Sequence, residues 1–237
     1  MQNTYEIIKD ETELKKFIDF LPELKDGEKF MVALFARNKF GKTPGLTADK
    51  AQLKRFTSNK YDLIRKLKQL EVKIGAYTTG DITINQESLV VYITPNPRDM
   101  HKSGLKTILE LTKFMVEGRT IFNPQSVALN MIQVTSTKKI YFDLDIDIQP
   151  NKLFSEEDLK LWLVDKINAD AIGSIIKTRG GFHILINLHE ISKEFSSKWF
   201  NNFANGKNEF IDVTMNGDNM IPMPGCVQSE SSPIMLT

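Results

Sequence analysis

One stretch of the chain, from Tyr141 to Ile148, alternates strictly between apolar and polar side chains. Such alternation predicts a β-strand that is buried on one face. Its polar face carries three carboxylates in a row, those of Asp143, Asp145 and Asp147. Neighbouring carboxylates repel one another unless a positive group lies opposite. Mg²⁺ and Mn²⁺ prefer carboxylate oxygens, so we expect a cation site; the alternative is an acidic face that looks into water or pairs with Lys and Arg.

The composition limits the classes of protein to be considered. The 237 residues, 41% hydrophobic and 26% charged, suffice for one large domain or for two small modules that share a core. The net charge of +1 does not indicate a nucleic-acid partner, so any basic surface must be local. The single cysteine, Cys226, excludes a disulfide framework and a zinc site built from several cysteines.

The expected cellular setting follows from the same features. A lone cysteine fits a reducing compartment. No apolar run approaches the length that spans a membrane, and the N-terminus lacks the basic and apolar regions of a targeting signal. We therefore expect a cytoplasmic protein without a membrane partner. The abundance of Asn and Lys points to a bacterial source or a phage-infected host cell.

The N-terminal half, over about residues 1–135, reads as an α/β module. In chain order the pattern predicts a helix over 12–21, a strand over 30–36, one or two helices between Asp49 and Leu70 with Tyr61, Ile64, Leu67 and Leu70 buried, a strand over 88–94 and a helix over 103–116. The first strand runs into a basic loop that begins at Arg37. The second ends in Pro95-Asn96-Pro97-Arg98, a rigid turn that presents Arg98.

The C-terminal half, over about residues 136–237, predicts a strand, helix, strand, strand, helix, strand order. After the Asp-rich strand come a helix that begins at Ser155 with a capping-box-like start, strands over 172–176 and 182–188, a helix over 192–203 and a strand over 210–215. This order is typical of RRM-like and polymerase-palm-like sheets, in which the first strand lies beside later ones. Asp212 could then meet Asp143 and Asp145 on one open face, with His183 nearby.

Three motifs follow one another along these predicted strands. They are Asp143-Leu144-Asp145, Gly181-Phe182-His183 and a third acidic residue, Asp212, in an apolar strand. In order and spacing they resemble the archaeo-eukaryotic primase superfamily, in particular the primase-polymerases of phages, plasmids and CRISPR loci. The segments Leu89–Arg98 and Met223–Cys226 also resemble family segments, so that the resemblance covers essentially the whole chain.

The resemblance implies an α+β catalytic core, with an N-terminal α/β module packed on a C-terminal RRM-like, palm-like module. It implies a DNA primase or DNA polymerase that works on a single-stranded DNA template and a primer, with NTPs or dNTPs as substrates. Two Mg²⁺ or Mn²⁺ ions would be held by the catalytic residues Asp143, Asp145 and Asp212. The nucleotide would be bound by His183, Arg179, Lys177 and Gly181, and the nucleotide or template contacted by Arg37, Arg98 and Asn96. A helicase or another replisome component is a further candidate partner.

The chain departs from the family pattern at three points. Gly181 stands where a Ser is usual, which removes one hydroxyl. No Lys or Arg follows Lys207, so phosphate contacts must come from Arg179, Lys177 or the N-terminal half. Asp147 is an additional carboxylate on the same face, and its spacing alone does not decide whether it binds metal.

Two other functions are compatible with the motifs. An RRM-like module could hold single-stranded nucleic acid without chemistry, although such modules use aromatic side chains on the exposed strands and this strand carries Asp. Another palm-type metal enzyme, a nucleotide cyclase or a nuclease, would use the same carboxylates, but it has no special need for a His strand after Gly-Gly.

Overall fold

The computed structural model of the protein describes residues 3–236 and is a mixed α+β structure with antiparallel sheets. In its N-terminal half the elements are α1 (Glu11–Phe20), β1 (Glu28–Arg37), β2 (Lys50–Ser58), α2 (Lys60–Lys68), β3 (Thr78–Thr79), β4 (Ile82–Thr83), β5 (Leu89–Ile93), β6 (Arg98–Asp99), α3 (Met100–Val116) and α4 (Pro124–Gln133). In its C-terminal half they are β7 (Tyr141–Ile148), α5 (Glu156–Val164), β8 (Ile172–Lys177), β9 (Gly181–Asn187), α6 (Trp199–Ala204), β10 (Ile211–Gly217), β11 (Ile221–Pro222) and β12 (Ile234–Leu236). Within the described residues, no helix is long and apolar enough to cross a membrane.

The N-terminal sheet has the strand order β11-β5-β1-β2, with β6 also pairing with β1. One face of β1 and β5 is apolar and packs with α1. Asp10 caps the start of α1, where its carboxylate accepts hydrogen bonds from the backbone N–H groups of Thr12 and Glu13. The other face carries Phe35 and Tyr92 and looks towards the C-terminal sheet. The N-terminal sheet is therefore covered on one side and lines an opening on the other.

The C-terminal sheet has the strand order β10-β7-β9-β8-β12, and all its pairs are antiparallel. The apolar face of β7, with Leu144 and Ile146 fully buried, packs on α5 and α6 as the alternation predicts. The capping box at the start of α5 is present, with the Asp158 carboxylate accepting from the Ser155 backbone. The polar face of β7 is thereby turned towards the N-terminal half.

The two sheets are joined by the end of the chain and by shared core residues. Strand β11 pairs with β5 in the N-terminal sheet, and β12 pairs with β8 in the C-terminal sheet. Tyr141, Ile176 and Leu185 of the C-terminal sheet belong to the same buried cluster as the core of the N-terminal half. Tyr141 also stacks on Phe20 of α1, with ring centroids 5.1 Å apart.

Three local predictions are wrong. Residues 50–58 form the edge strand β2 rather than a helix, and only α2 follows before residue 70. Tyr61 is 94% exposed, because the buried side chains of α2 are those of Leu63 and Leu67. The predicted helix over 192–203 is reduced to α6, which begins at Trp199.

Candidate active site

The polar face of the C-terminal sheet and the open face of the N-terminal sheet enclose a cavity of about 700 Å³. Asp145, Asp147 and His183 line it from the C-terminal sheet. The N-terminal half contributes cationic side chains, those of Arg37, Lys39 and Lys50. Arg179 lies between these groups, on the turn that joins β8 to β9. An acidic wall therefore faces a basic one across a single opening.

Strand register decides which side chains meet on the acidic wall. Opposite β7, His183 of β9 pairs with Asp145, and Gly181 pairs with Asp147. On the other side of β7, Asp212 of β10 pairs with Asp147. Residues directly opposite each other in antiparallel strands share a face. Asp212 is thus brought to Asp147, and Asp143 lies further along the strand.

Asp143 lies behind the histidine rather than at the cavity. Its side chain is fully buried, and His183 Nδ1 lies 3.0 and 3.1 Å from its two carboxylate oxygens. The amide of Asn216 donates a further bond of 3.2 Å to Oδ2. Burial alone would lower the pKa of His183, but the Asp143 carboxylate, followed by Asp145 and Asp147, raises this pKa to about 9. Asp143 therefore orients His183 and favours its protonated form.

Asp145 stands at the centre of the acidic wall. Its Oδ1 atom lies 3.5 Å from His183 Nε2, and its side chain is half-buried. A β-bulge between Met215 and Gly217 in β10 turns Asn216 towards β7, and the Asn216 amide lies 3.4 Å from Asp145 Oδ2. The imidazole and the amide thus fix the orientation of this carboxylate.

Asp147 and Asp212 form the outer end of the acidic wall. Loss of hydration on packing and the neighbouring Asp145 carboxylate raise the pKa of Asp147 above its ordinary value, and Asp212 acts in the same direction. Lys207 pairs with Asp212 at 3.0 Å, at an exposed position. The carboxylates of Asp145, Asp147 and Asp212 therefore repel one another, and a bound cation would reduce this repulsion.

The donors fit a divalent cation in their chemistry. Mg²⁺ is commonly bound by one or two carboxylates, with substrate phosphates and water completing its shell. Asp145 and Asp147 supply such carboxylates at the cavity. Across residues 3–236, no three His, Cys, Asp or Glu side chains are grouped closely enough to hold a metal ion. The wall therefore suits an ion that a bound phosphate helps to hold.

Arg179 is fixed by partners from two other parts of the chain. Its backbone N–H donates to Gln228 Oε1 at 2.9 Å, and its Nη1 donates to Ser229 Oγ at 3.1 Å. Its guanidinium carbon lies 5.3 Å from the centre of the Phe40 ring. A guanidinium held in this way at the cavity is suited to binding a phosphate.

The basic wall is ordered around Tyr92. Arg37 donates from Nη1 to the Tyr92 hydroxyl at 2.7 Å, and its Nη2 pairs with Asp49 at 3.2 Å. The Lys50 ammonium lies 4.4 Å from the centre of the Tyr92 ring. Desolvation, and to a smaller extent the nearby Arg37, lowers the pKa of Lys50. Arg37, Lys39 and Lys50 thus place three cationic side chains on this wall.

Three of the predicted contacts lie elsewhere. Lys177 of β8 lies opposite Phe182 of β9, so its side chain is on the other face of the sheet from His183. Its ammonium pairs with Glu156 at 2.9 Å. Asn96 is fully buried, and Arg98 is 1% exposed. Both side chains bind Asp218, and they thereby join the turn after β5 to the residue that follows β10.

Gly181 is required by the sheet itself. A Cβ atom at this position would lie 1.8 Å from the backbone oxygen of Ile146 in β7. No side chain fits at that distance, so the glycine allows β9 to approach β7 beside Asp147. Gly181 thus serves the packing of β9 against β7.

Seven residues that build the site were not singled out as site residues from the sequence: Lys39, Phe40, Asn216, Lys50, Tyr92, Gln228 and Ser229. Asn216 lies in a bulge of β10, and Gln228 and Ser229 lie in an irregular segment, so periodicity gives no signal for these three residues. Lys50 gave no signal either, because it is one of many basic residues in a segment that was predicted to be helical. Only the crowding of three Asp in β7 indicated where partners had to converge.

Models of protein families, curated proteins and solved structures yield no match to this chain.

Proposed function

We propose that the protein is a template-dependent nucleotidyltransferase, a DNA primase-polymerase that adds nucleotides to a 3′-hydroxyl. The observation that carries the proposal is the single cavity in which Asp145 and Asp147 face Arg179, Arg37 and Lys50. A nucleoside triphosphate with its divalent cations needs both kinds of wall, carboxylates for the ions and guanidinium or ammonium groups for the phosphates.

The proposal includes the architecture implied by the sequence motifs, an α/β module packed on an RRM-like, palm-like sheet. It is supported by the strand order of the C-terminal sheet. Its first four strands along the chain, β7, β8, β9 and β10, lie in the order fourth, first, third, second, with α5 and α6 on one face. This is the arrangement of a split β-α-β unit, and it leaves the other face of the sheet for the site.

Asp145 and Asp147 are assigned to the cations at the cavity, Asp212 to a supporting position beside Asp147, and Asp143 to the orientation of His183. This assignment moves the metal-binding pair two residues along β7 from the prediction. It is supported by the burial of Asp143 against His183 and by the pairing of Asp212 with Asp147. Bound cations would supply charge neutralisation of the triphosphate and activation of the attacking hydroxyl.

The other polar groups have roles that follow from their positions. His183 directs Nδ1 to Asp143, so its Nε2 atom, beside Asp145, is the one that can donate to a phosphate oxygen. Arg179 and the basic wall bind the phosphates from the opposite side. A cavity that brings both kinds of group together would hold the reacting groups relative to one another, which is a large part of catalysis in phosphoryl transfer.

The test is incubation of the protein with Mn²⁺, a single-stranded DNA template and labelled NTPs or dNTPs, with and without a primer. We expect lengthened products, and we expect Asp145→Asn to abolish them. Asp170→Asn, which changes an exposed carboxylate on the short helix before β8, is the matched control and should retain activity. Products without a primer identify a primase. Shortened DNA or a cyclic nucleotide would instead identify a nuclease or a cyclase, and the absence of any product would contradict nucleotidyl transfer.

A further inference from the structure

The segment that follows β11 runs past the cavity before it joins the C-terminal sheet as β12. Its backbone is anchored to the N-terminal half, where Val227 N–H donates to the Ile7 carbonyl at 2.9 Å and Ser229 N–H donates to the Leu89 carbonyl at 2.8 Å. Gln228 and Ser229 are 5% and 1% exposed. They lie beside the turn between β8 and β9, although 49 and 50 residues separate them from Arg179.

These two residues hold both ends of Arg179. The Gln228 side chain accepts from the Arg179 backbone, which fixes the turn, and the Ser229 hydroxyl accepts from the guanidinium, which fixes the tip. A guanidinium has five N–H donors, so one bond to Ser229 leaves donors for a bidentate contact with a phosphate. The arginine is thereby oriented before any ligand arrives.

The backbone of Ser229 supports a role beyond closing a loop. Its φ of +61° lies in the left-handed region, which non-glycine residues rarely adopt. A buried, strained residue persists only when the surrounding structure imposes it, and such residues cluster at functional sites. Here the strained conformation coincides with the placement of the hydroxyl on Arg179.

We propose that Gln228 and Ser229 are positioning residues for Arg179 and that the group so recognised is a triphosphate. The inference rests on the proposed function, since it names what Arg179 binds within the same cavity. Preorganisation favours binding because less side-chain freedom is lost when the ligand is bound. The C-terminal segment then contributes to the phosphate site through two uncharged side chains, those of Gln228 and Ser229.

The test is a double-mutant cycle on the full chain with Ser229→Gly and Arg179→Met, read by calorimetric titration with inorganic triphosphate and Mn²⁺. Glycine tolerates the positive φ, so Ser229→Gly removes the hydroxyl and leaves the backbone unstrained. We expect Ser229→Gly to weaken triphosphate binding about fivefold with Arg179 present and less than about twofold in Arg179→Met, since coupled residues are non-additive. Equal losses in both backgrounds, or no loss with Arg179 present, would overturn the proposal.

Matched variants separate positioning from a loss of structure. Ser232→Ala removes a hydroxyl from the same segment, one that donates to the Pro233 carbonyl, and should leave triphosphate binding unchanged. Gln228→Met removes the acceptor of the Arg179 backbone N–H at similar size and should also weaken triphosphate binding. A loss of binding in Ser232→Ala equal to that in Ser229→Gly would overturn the specific role.

The two proposals can fail separately. If the protein binds triphosphate with the expected coupling but transfers no nucleotide, the proposed reaction is wrong and the positioning role stands. If it transfers nucleotide while Ser229→Gly shows no coupling to Arg179, the reaction stands and the positioning role is wrong. If the unmodified protein binds no triphosphate, the positioning role is wrong, and the products of the primer assay decide the reaction.

Discussion

Asp143 and Asp147 flank Asp145 at equal distances along β7, yet their surroundings are opposite. Asp143 is fully buried against His183, whereas Asp147 lines the cavity beside Asp145. A buried carboxylate with its oxygens bonded to an imidazole acts through that imidazole, as ligand-orienting groups do at metal sites. An equal spacing in the sequence therefore gives two unequal roles.

The first prediction separates these roles. Asp147→Asn should raise the Mn²⁺ concentration needed for half-maximal primer extension by about tenfold, because it removes a carboxylate from the cation. Asp143→Asn should instead raise the KM for the nucleotide and leave the Mn²⁺ dependence unchanged, because it releases His183. Measurement of activity against Mn²⁺ and against nucleotide for both variants checks this. A shift of the Mn²⁺ dependence in Asp143→Asn alone would contradict the assignment.

The second prediction concerns pH. The folded protein holds His183 with a pKa of about 9, above the ordinary value of 6.5, so its contribution to stability is complete below about pH 6.5 and is lost as the pH rises through 9. In the presence of EDTA, the melting temperature should fall by roughly 5 °C between pH 6.5 and 9.5. The fall should be much smaller in Asp143→Asn, which lacks the main group that raises this pKa. An equal fall in both proteins would contradict it.

The third prediction concerns Gly181. Because a Cβ atom there would lie 1.8 Å from the Ile146 oxygen, Gly181→Ala should separate β9 from β7 and destabilise the protein by about 2 kcal/mol or more. Gly104→Ala, in α3 with open space around its Cβ position, is the control and should stabilise by up to about 1 kcal/mol. Urea unfolding of both variants measures the difference. Equal stabilities would contradict the packing argument.

At the scale of elements, the turn after β5 holds β7 in position. Asn96 Oδ1 accepts from the backbone N–H groups of Ile140 and Tyr141, at 2.9 and 2.8 Å. Its amide donates to Asp218, which also pairs with Arg98 at 2.8 Å. Asp218 directly follows β10, so one buried network sets the relative position of the two strands that carry Asp145 and Asn216. The predicted nucleotide contacts Asn96 and Arg98 thus act at a distance from the cavity.

The fourth prediction tests this network. Arg98→Met leaves the carboxylate of Asp218, whose side chain is 13% exposed, without its cation, and should destabilise the protein by about 3–5 kcal/mol. Lys152→Met removes the cation of an exposed pair, with Glu209 71% exposed, and should cost less than about 1 kcal/mol. Denaturant unfolding measures both. A cost for Arg98→Met no larger than for Lys152→Met would contradict a structural role.

Element boundaries could be predicted where one face is strongly apolar. The alternation of β7 and the capping box of α5 are both present in the structure. The strand β2 could not be predicted, because its sequence Lys-Ala-Gln-Leu-Lys-Arg-Phe-Thr-Ser suits a helix face as well as a strand. It forms an edge strand because β1 pairs with it over eight residue pairs, a long-range effect that outweighs local propensity.

At the scale of the whole molecule, the two halves depend on each other. The last segment adds a strand to each sheet, and one buried cluster contains residues from both. The cavity lies between the halves, so its shape depends on their remaining joined. An arrangement of this kind favours unfolding as one unit.

The fifth prediction follows from this mutual dependence. Both tryptophans, Trp162 and Trp199, pack on the core of the C-terminal half, so their fluorescence reports on that half alone. Circular dichroism at far-ultraviolet wavelengths reports on the helices and strands of both halves. The two urea unfolding curves should coincide, with one midpoint. Two separate midpoints would show that the halves unfold independently.

The sequence by itself determined that β7 carries its carboxylates on one face, that a glycine turn and His183 follow on a later strand, and that the chain is α+β. These properties are local, since alternation, capping and turn residues act within a few positions. Only the tertiary structure decided which carboxylate faces the cavity, that Asn216 and Ser229 join the site, and that Lys177 and Arg98 do not line it. These outcomes depend on strand register and on long-range pairing, since a register shift of one residue moves every side chain of a strand to the opposite face of the sheet.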